Sequence, residues 1–387
     1  MRKLSRSLRN RFLVMKKIIY IANIRIPTER AHGIQIINMC EAFAHEVIEV
    51  ELLVPWRFND IYEDTFLYYD IEKNFKITKI FSLDLVQLSR VEFVQLGRVG
   101  FWIQSFSFAT FSSLYVLFKK ADTIYSRDEL PLWFLSFFKK NLVWEVHMPR
   151  DNVIARMLRR RIKKIITISQ GLKDFYISKG VPSERIFVAH DGVDLHAFSV
   201  EVEKKEVRAK LGLPLSKPIA MYIGRLDKWK GVKTLLEASK RMDGVQVVIV
   251  GEGDQLKEFK KHYPNAIFTG PLPYRDLPYN QQAADILIVP NSADSDISRL
   301  YTSPLKVFAH MASGIPIVVS DLPALREIVN NEVVYFFEPD NETNLVETIL
   351  YALSHKDESL KKAKKAKHIV QNYSWQNRVK KILAFIQ

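Results

Sequence analysis

Two cationic side chains and a helix start could form an anion site in the second half of the sequence. Arg225 and Lys230 lie in the loop GRLDKWKG, which directly follows the apolar stretch AMYI. The segment SPLK (303–306) predicts a helix with Pro304 as its first residue, because proline lacks an N–H that would be unpaired there. A guanidinium fork, an ammonium group and the N–H groups of a helix start all suit phosphate oxygens. The sequence therefore predicts a diphosphate site built from these three features.

The strands that must position these groups are visible as a repeating pattern. Short β-branched runs alternate with helical stretches from Lys17 to Phe198 and again from Pro218. The alternation predicts parallel sheets with helices on both faces, and such sheets bind ligands beyond the carboxyl ends of their strands. Between the halves, SVEVEKKEVRAKLGLPLSK (199–217) is charged and then rich in Pro and Gly, which predicts a domain boundary near residues 200–215. The sequence therefore predicts two doubly wound α/β domains with a cleft between them.

Length and composition limit the class of protein. The 387 residues are too many for one hydrophobic core, and 48% of them are hydrophobic and 26% charged, as in a globular protein. A single cysteine, Cys40, excludes an internal disulfide framework and a cysteine-based metal cluster. The apolar run FLVM (12–15) is too short for a secretory signal. Residues 101–118 carry no charge, but six of the 18 are Ser, Thr or Gln, which predicts a packed or interfacial helix rather than a membrane span.

Positive charge is concentrated in two clusters. The formal net charge is +14; residues 1–17 hold seven cations and no acid, and RMLRRRIKK (156–164) holds six more cations. Such clusters suit an anionic surface, either lipid head groups or nucleic acid. Since no nucleic-acid-binding module is visible, we favour a membrane surface and expect no nucleic-acid partner. A solvated charged face is the alternative.

The sequence resembles the retaining glycosyltransferases of family 4. The resemblance is strongest from GRLDKWKG to DLPALREIV, and it includes VIVGEG, FTGPLPYRDLP, SPLKVFAHMASGIPIVV and the late YSWQNR. It implies the α/β GT-B fold, in which two Rossmann-like doubly wound domains face a cleft. The implied organisation is an acceptor domain over residues 1–205, a nucleotide-sugar donor domain over 206–370 and a helix over 371–387 that crosses back to the first domain.

The resemblance also implies an activity and a set of site residues. The activity is metal-independent transfer of a hexosyl group, with retention, from a UDP- or GDP-linked sugar to a glycan or lipid-linked acceptor in cell-surface polysaccharide biosynthesis. The enzyme would be cytoplasmic, on the inner face of the membrane, and would need no cofactor besides the donor. Catalytic roles fall on His147, at the end of the strand LVWEVH, and on Arg225 and Lys230 at the diphosphate. The donor-binding residues that the resemblance implies are Gly33, Gly224, Leu272, Pro273, Ser303, Pro304, Leu305, Lys306 and Ala309. Gly33 is expected in the loop after the first strand.

Ala309 departs from the family pattern. The family usually carries two glutamates eight positions apart, and alignment on HMASG places them at Tyr301 and Ala309. The second glutamate typically binds the ribose hydroxyls, so its loss is expected to cost ~1.5–3 kcal/mol of binding. His310 points about 100° away on a helix and does not simply replace it. Either Asp294 or Asp296 supplies the carboxylate, or the chain is a non-catalytic nucleotide-sugar-binding partner of an active glycosyltransferase.

Overall fold

A seven-stranded parallel sheet forms the centre of the first half of the chain. The computed structural model describes residues 16–47, 49–85 and 97–387. The strands are β1 (Lys17–Ile21), β2 (Glu49–Pro55), β3 (Lys76–Ile80), β4 (Thr123–Ser126), β5 (Leu142–Val146), β6 (Lys164–Thr167) and β7 (Ile186–Val188). The helices are α1 (Ala31–Glu46), α2 (Thr65–Tyr69), α3 (Gly97–Leu117), α4 (Glu129–Leu135), α5 (Val153–Arg161), α6 (Gln170–Ser178) and a 3-10 turn (Ser183–Arg185). The spatial order is β3-β2-β1-β4-β5-β6-β7, so the winding direction changes between β1 and β4.

A six-stranded parallel sheet forms the centre of the second half. Its strands are β8 (Ile219–Ile223), β9 (Gln246–Val250), β10 (Ile267–Gly270), β11 (Ile286–Val289), β12 (Ile317–Ser320) and β13 (Tyr335–Phe337). The helices are α7 (Lys204–Lys210), α8 (Val232–Ser239), α9 (Leu256–His262), α10 (Leu277–Asn280), α11 (Asp296–Leu300), α12 (Leu305–Ser313), α13 (Pro323–Arg326), α14 (Glu342–Ser354), α15 (Lys356–Ile369) and α16 (Trp375–Ile386). Short 3-10 helices span Lys228–Lys230, Tyr274–Asp276, Gln281–Ala283 and Val370–Tyr373. The order β10-β9-β8-β11-β12-β13 places the change of winding direction between β8 and β11.

The apolar strands explain the layered arrangement. Residues 18–21 of β1 and 220–222 of β8 are fully buried, and a parallel strand buried on both faces needs helices on both sides of its sheet. The prediction of two doubly wound α/β domains is confirmed. Because ligands bind where the winding direction changes, the ends of β1 and β4 and the ends of β8 and β11 are the places to look for a site.

The last helix, α16, returns to the first sheet. Trp375, Val379 and Ile382 lie in the same hydrophobic core as Ile36 and Phe43 of α1. The side chain of Ser374, which precedes the helix, accepts a hydrogen bond from the Asn377 N–H and so caps its start. The end of the chain therefore holds the two halves together.

Hydrogen bonds also join loops of the two halves. The Asp191 N–H donates to Ser303 Oγ at 2.9 Å, and Ser169 Oγ donates to the Leu300 carbonyl at 3.0 Å. These bonds bring the residues that follow β6 and β7 against the start of α12. No helix in the described parts of the chain is both long and apolar enough to cross a bilayer.

Candidate active site

Two lysines lie where the second sheet changes its winding direction. Lys306 Nζ is 4.0 Å from the centre of the Tyr222 ring, and Lys230 Nζ is 3.6 Å from that of Trp229. The ammonium group of Lys306 is buried and has no hydrogen-bond partner among the described residues. Burial lowers the pKa of Lys230 to about 7. Burial, and then the neighbouring Lys230 charge, hold the pKa of Lys306 well below its usual value. An anion that bound between the two ammonium groups would stabilise the charged form of each lysine. It would thereby offset both the burial of these charges and their mutual repulsion.

Gly224 and Gly231 shape the loop that carries Arg225 and Lys230. A Cβ on Gly224 would lie 3.2 Å from Lys306 Nζ, so the backbone passes close to the ammonium group. Gly231 has a φ of +65°, and a Cβ there would lie only 1.7 Å from the Pro290 carbonyl oxygen. The loop therefore needs glycine to fit against the end of β11.

Arg225 follows β8 and is 47% exposed. Its Nε lies 3.4 Å from Asp227 Oδ1, and one of its terminal nitrogens lies 3.8 Å from Glu252 Oε1. Ion pairs at this exposure contribute about 0–1 kcal/mol. The guanidinium could therefore leave these carboxylates for a diphosphate in the cleft.

The SPLK segment lies between the two domains. Helix α12 begins at Leu305, and Pro304 is its N-cap with φ −73° and ψ 119°. The prediction that Pro304 is the first helical residue is wrong by one position, because its ψ is still extended. Ser303 accepts the hydrogen bond from Asp191, and Leu305 packs against the core of the first domain. The start of α12 and Lys306 in its first turn are thus held at the cleft.

Leu272 and Pro273 follow β10. Leu272 packs at the edge of the core that contains Val250, whereas Pro273 is exposed and caps a 3-10 turn. The next residue, Tyr274, packs against the core of the first domain. This segment therefore reaches across the cleft to the first domain.

His147 directly follows β5 on the opposite side of the cleft. It lines a cavity of about 160 Å³ together with Arg127, Asp128 and Glu129. Burial, and then the Arg127 charge, lower the pKa of His147 to about 4. The imidazole is therefore neutral at neutral pH.

Glu145 lies two residues before His147 and is fully buried in β5. Its carboxylate accepts hydrogen bonds from Gln35 Nε2 at 2.7 Å and from the Tyr125 hydroxyl. Burial alone would raise the pKa of Glu145, but the guanidinium of Arg378 and the bond to His147 outweigh burial and hold that pKa well below its usual value. The sheet therefore contains an ionised carboxylate in its interior.

Arg378 of α16 lies between two carboxyl groups. Its Nη2 is 3.1 Å from Glu145 Oε1 and 3.9 Å from Asp191 Oδ1. Burial raises the pKa of Asp191 to about 7. Ligand atoms of Glu145, His147 and Asp191 lie within 4.8 Å of one another, as in some metal sites. A metal ion bound there would have to displace the guanidinium, so we assign the cluster to Arg378.

Sequence reasoning identified His147 but missed its partners. Glu145, Asp191 and Arg378 come from three distant segments, and no local spacing joins them. One signal was present: Glu145 is the single charged residue in the otherwise apolar strand LVWEV. A charge in a strand that is covered on both faces needs a partner.

Gly33 is not in the loop after β1, and that expectation is wrong. It lies in the first turn of α1 and is buried. A Cβ there would lie 2.3 Å from Thr28 Cγ2 and 2.6 Å from the Tyr69 hydroxyl. The structure therefore gives Gly33 a packing reason, which is the close approach of α1 to these two residues.

Ala309 lies in the second turn of α12 and is 1% exposed. Its carbonyl oxygen accepts a hydrogen bond from Gln281 Nε2 at 3.3 Å, and His310 Nδ1 lies 3.2 Å from Gln281 Oε1. His310 is thus engaged in the interior. Asp296 is exposed and pairs with Arg299 at 2.8 Å, and Asp294 lines a surface cavity with Lys233. Neither aspartate is bonded to the α12 segment.

Two family models match the chain. The model described as Glycosyl transferases group 1 matches residues 203–372, and the model described as Glycosyltransferase Family 4 matches residues 33–197. Among curated relatives, an uncharacterized glycosyltransferase of Methanocaldococcus jannaschii (MJ1607) is 26% identical over 55% of this chain. The putative teichuronic acid biosynthesis glycosyltransferase TuaC of Bacillus subtilis is 28% identical over 41% of this chain. The matched stretch spans 57% of the first relative and 39% of the second.

A solved structure shows the same fold. HepE of Anabaena, crystallised in complex with UDP and glucose, superposes with a TM-score of 0.74 at 17% identity, covering 95% of this chain and 98% of HepE. At that identity the likeness shows the fold alone. The two family models together match most of the chain, and both sheets have the expected parallel order. The chain therefore belongs to family 4 of the glycosyltransferases and has the GT-B fold.

Proposed function

We propose that this protein transfers a hexosyl group from a UDP- or GDP-linked donor to a glycan or lipid-linked acceptor, with retention and without a metal ion. The observation that carries the proposal is the pair of lysines at the switch between β8 and β11. The Lys306 ammonium group is buried over the Tyr222 ring, and the half-buried Lys230 lies over the Trp229 ring. Neither lysine forms an ion pair with another described residue. Their charges are neutralised if a diphosphate binds between them.

The proposed reaction follows from the charge that develops. The bond between the anomeric carbon and the diphosphate oxygen breaks, and a bond to the acceptor oxygen forms on the same face of the sugar. The proton of the acceptor hydroxyl passes to the departing diphosphate. Lys230, Lys306 and Arg225 stabilise the negative charge, and each well-placed donor of this kind is worth about 3–4 kcal/mol in the transition state. His147, which is neutral, contacts the transferred sugar from the first domain.

The donor is a nucleoside diphosphate sugar, with its base beside Leu272 and Pro273. HepE, of the same fold, was crystallised with UDP and glucose, which makes UDP-glucose the first donor to test. TuaC, which matches part of the chain, is described as a putative teichuronic acid biosynthesis enzyme. That description supports a cell-surface polysaccharide as the product.

Turnover tests this proposal. Purified protein is incubated with UDP-, GDP- and ADP-sugars and with lipid-linked acceptors extracted from bacterial membranes, and the released nucleoside diphosphate is measured. We expect release from one donor class, at least tenfold faster with acceptor than without it. The same nucleotide bound but never released from its sugar would contradict the proposal.

Ala309 favours a second candidate function, a non-catalytic nucleotide-sugar-binding partner of an active glycosyltransferase. The residue is buried, and neither Asp294 nor Asp296 is bonded to α12 in its place. This candidate predicts that the protein binds a nucleotide sugar without turning it over. It also predicts that a co-purifying glycosyltransferase becomes faster in its presence.

We further propose that the enzyme works peripherally on the inner membrane surface, and one face of the first domain supports this. We call it the aromatic–basic face and define it by Phe101, Trp102, Phe106, Phe137, Phe138, Met157, Arg160 and Arg161, all of which are exposed. Phe106 of α3 lies 5.5 Å from Phe134 of α4, and the Arg161 guanidinium lies 4.2 Å from the Phe137 ring, so α3, α4 and α5 form one continuous surface. Exposed aromatic rings beside arginines suit the head-group region of an anionic bilayer. The basic residues 1–15 lie outside the described residues.

Vesicle sedimentation tests the membrane proposal. We expect binding to phosphatidylglycerol vesicles and little binding to phosphatidylcholine vesicles. Arg160→Gln with Arg161→Gln should weaken binding about 30-fold, or ~2 kcal/mol, since each basic residue near the surface is worth about 1 kcal/mol. The control is Lys361→Gln with Lys364→Gln, which removes the same charge from exposed positions on α15. Equal binding by both double variants would remove the aromatic–basic face from the proposal.

A further inference from the structure

We infer that Arg378 is a positioning residue, which holds Glu145 and, through it, fixes the orientation and tautomer of His147. The last helix would then be a working part of the site, not only a packing element. The inference rests on the proposed function only for its consequence in turnover. The geometry itself can be tested without any substrate.

The guanidinium of Arg378 is fixed on all sides. Its Nη2 and Nη1 donate to the two oxygens of Glu145 at 3.1 and 3.4 Å, which is the fork-to-fork arrangement that best fixes a carboxylate. Nε donates to the His190 carbonyl at 2.9 Å and Nη2 to the Ala189 carbonyl at 3.1 Å. Nη1 also donates to Met39 Sδ at 2.9 Å. Arg378 thus joins α16 to β5 and to the loop after β7.

The carboxylate of Glu145 in turn determines where the proton of His147 lies. Glu145 Oε1 is 2.6 Å from His147 Nε2 and already accepts from Gln35 Nε2 at 2.7 Å. An ionised carboxylate can only accept hydrogen bonds, so the neutral imidazole must carry its proton on Nε2. Nδ1 then carries no proton and can accept a hydrogen bond from a sugar hydroxyl.

Gln35 reinforces the same arrangement from α1. Its amide oxygen accepts from an Arg127 terminal nitrogen at 2.9 Å while its Nε2 donates to Glu145. The amide orientation is therefore fixed from both ends, and Arg127 does not itself bond to Glu145. Arg378 is the cation that holds the carboxylate directly.

Stability alone does not explain why a charge pair lies here. A buried ion pair gains little over well-packed apolar residues of similar volume, because both charges must be desolvated. Arg378 is 2% exposed and Glu145 is fully buried, so the desolvation is nearly complete. A requirement for an ionised acceptor beside His147 accounts for both charges.

Nuclear magnetic resonance of the histidine side chains tests the inference directly. Long-range correlations between ring protons and nitrogens in ¹⁵N-histidine-labelled full-length protein report which nitrogen carries the proton, and His147→Gln assigns the signal. In the wild type we expect the Nε2–H tautomer. In Arg378→Met we expect loss of that preference, with the two nitrogen shifts moving towards each other.

Matched variants separate positioning from folding. Lys380→Met removes the same charge from an exposed position on the same helix and should leave the His147 signal unchanged. If Arg378→Met does not fold, Arg378→Lys keeps the charge without the fork and should give a mixture of tautomers. A folded Arg378 variant with the wild-type His147 tautomer would overturn the inference.

Turnover distinguishes the inference from the proposed function. With UDP-glucose as the probe, Arg378→Met should lower kcat about 100-fold, as expected when a preorganised donor or acceptor at a reacting group is lost. KM should stay within about threefold, since the donor diphosphate binds in the other domain. If the wild type shows no turnover but Arg378→Met shifts the tautomer, the proposed function fails and the positioning role stands.

Discussion

Nucleotide binding should weaken steeply as pH rises above 7. In the free protein, burial lowers the pKa of Lys230 to about 7. A diphosphate beside the ammonium group should return that pKa towards its usual value of about 10.5. Above pH 7 most Lys230 side chains of the free protein are neutral, so each must take up a proton when the diphosphate binds. The free energy needed for that protonation weakens the observed binding.

The magnitude follows from the two protonation states. At pH 7 half of the Lys230 side chains already carry the proton, whereas at pH 9 about one in a hundred does, given a pKa of about 7. The affinity should therefore fall about 50-fold between these pH values, or ~2.3 kcal/mol. The pKa of Lys306 is also lowered, so its protonation adds to the loss of affinity. About 50-fold is therefore the lower limit of the expected decrease.

Calorimetric titration of UDP at pH 7, 8 and 9 measures the effect, and buffers of different ionisation enthalpy count the protons taken up. Lys230→Arg keeps its charge throughout this range, so that variant should lose the Lys230 share of the pH dependence. Lys257→Arg, at an exposed position on α9, is the control and should behave as the wild type. A wild-type affinity that is constant from pH 7 to pH 9 would show that nucleotide binding does not depend on protonation of Lys230.

Three further predictions concern single positions. Ala309→Glu places a carboxylate one turn beyond the start of α12 and should tighten UDP binding about ten- to hundredfold by calorimetry; unchanged affinity would show that this position does not reach the ribose. Gly231→Ala should lower the free energy of unfolding by at least about 2 kcal/mol in urea titrations, because its Cβ would overlap the Pro290 carbonyl; a smaller loss would mean that the loop relaxes freely. Arg275→Ala breaks the 2.8 Å ion pair with Glu63. Because both groups are exposed, the free energy of unfolding should change by less than about 1 kcal/mol in urea titrations. A larger change would show that this ion pair stabilises the contact between the two domains.

The central strands were predictable because their signal is local. β1, β5, β8 and β11 are short apolar runs that need no knowledge of their neighbours. The edge strands β3 and β13 were not predicted. KITKI contains two lysines among β-branched residues, and YFF has only three residues. Both strands pair on one side only, so their apolar pattern is weaker than that of a central strand.

The candidate site was predictable where family motifs lie close together in the sequence. Arg225 and Lys230 come from the loop that follows β8, and the SPLK segment joins α11 to α12. The single charge in the strand LVWEV indicated that Glu145 needs a partner, but Arg378 was not predictable as that partner, because Glu145, Asp191 and Arg378 meet only when the last helix returns to the first sheet. Gly33 was misplaced for a related reason, since the end of a loop and the first turn of a helix look alike in sequence.

The proposed reaction requires that Lys306 helps to bind a nucleoside diphosphate. The most direct test is calorimetric titration of UDP, with GDP and ADP in parallel, into the wild type, Lys306→Met and Lys257→Met at pH 7. We expect micromolar binding of one nucleotide by the wild type and Lys257→Met, and binding about 30-fold weaker, or ~2 kcal/mol, by Lys306→Met. Equal affinity in all three proteins would show that Lys306 does not bind the nucleotide, and no binding by the wild type would show that the proposed donor site is wrong.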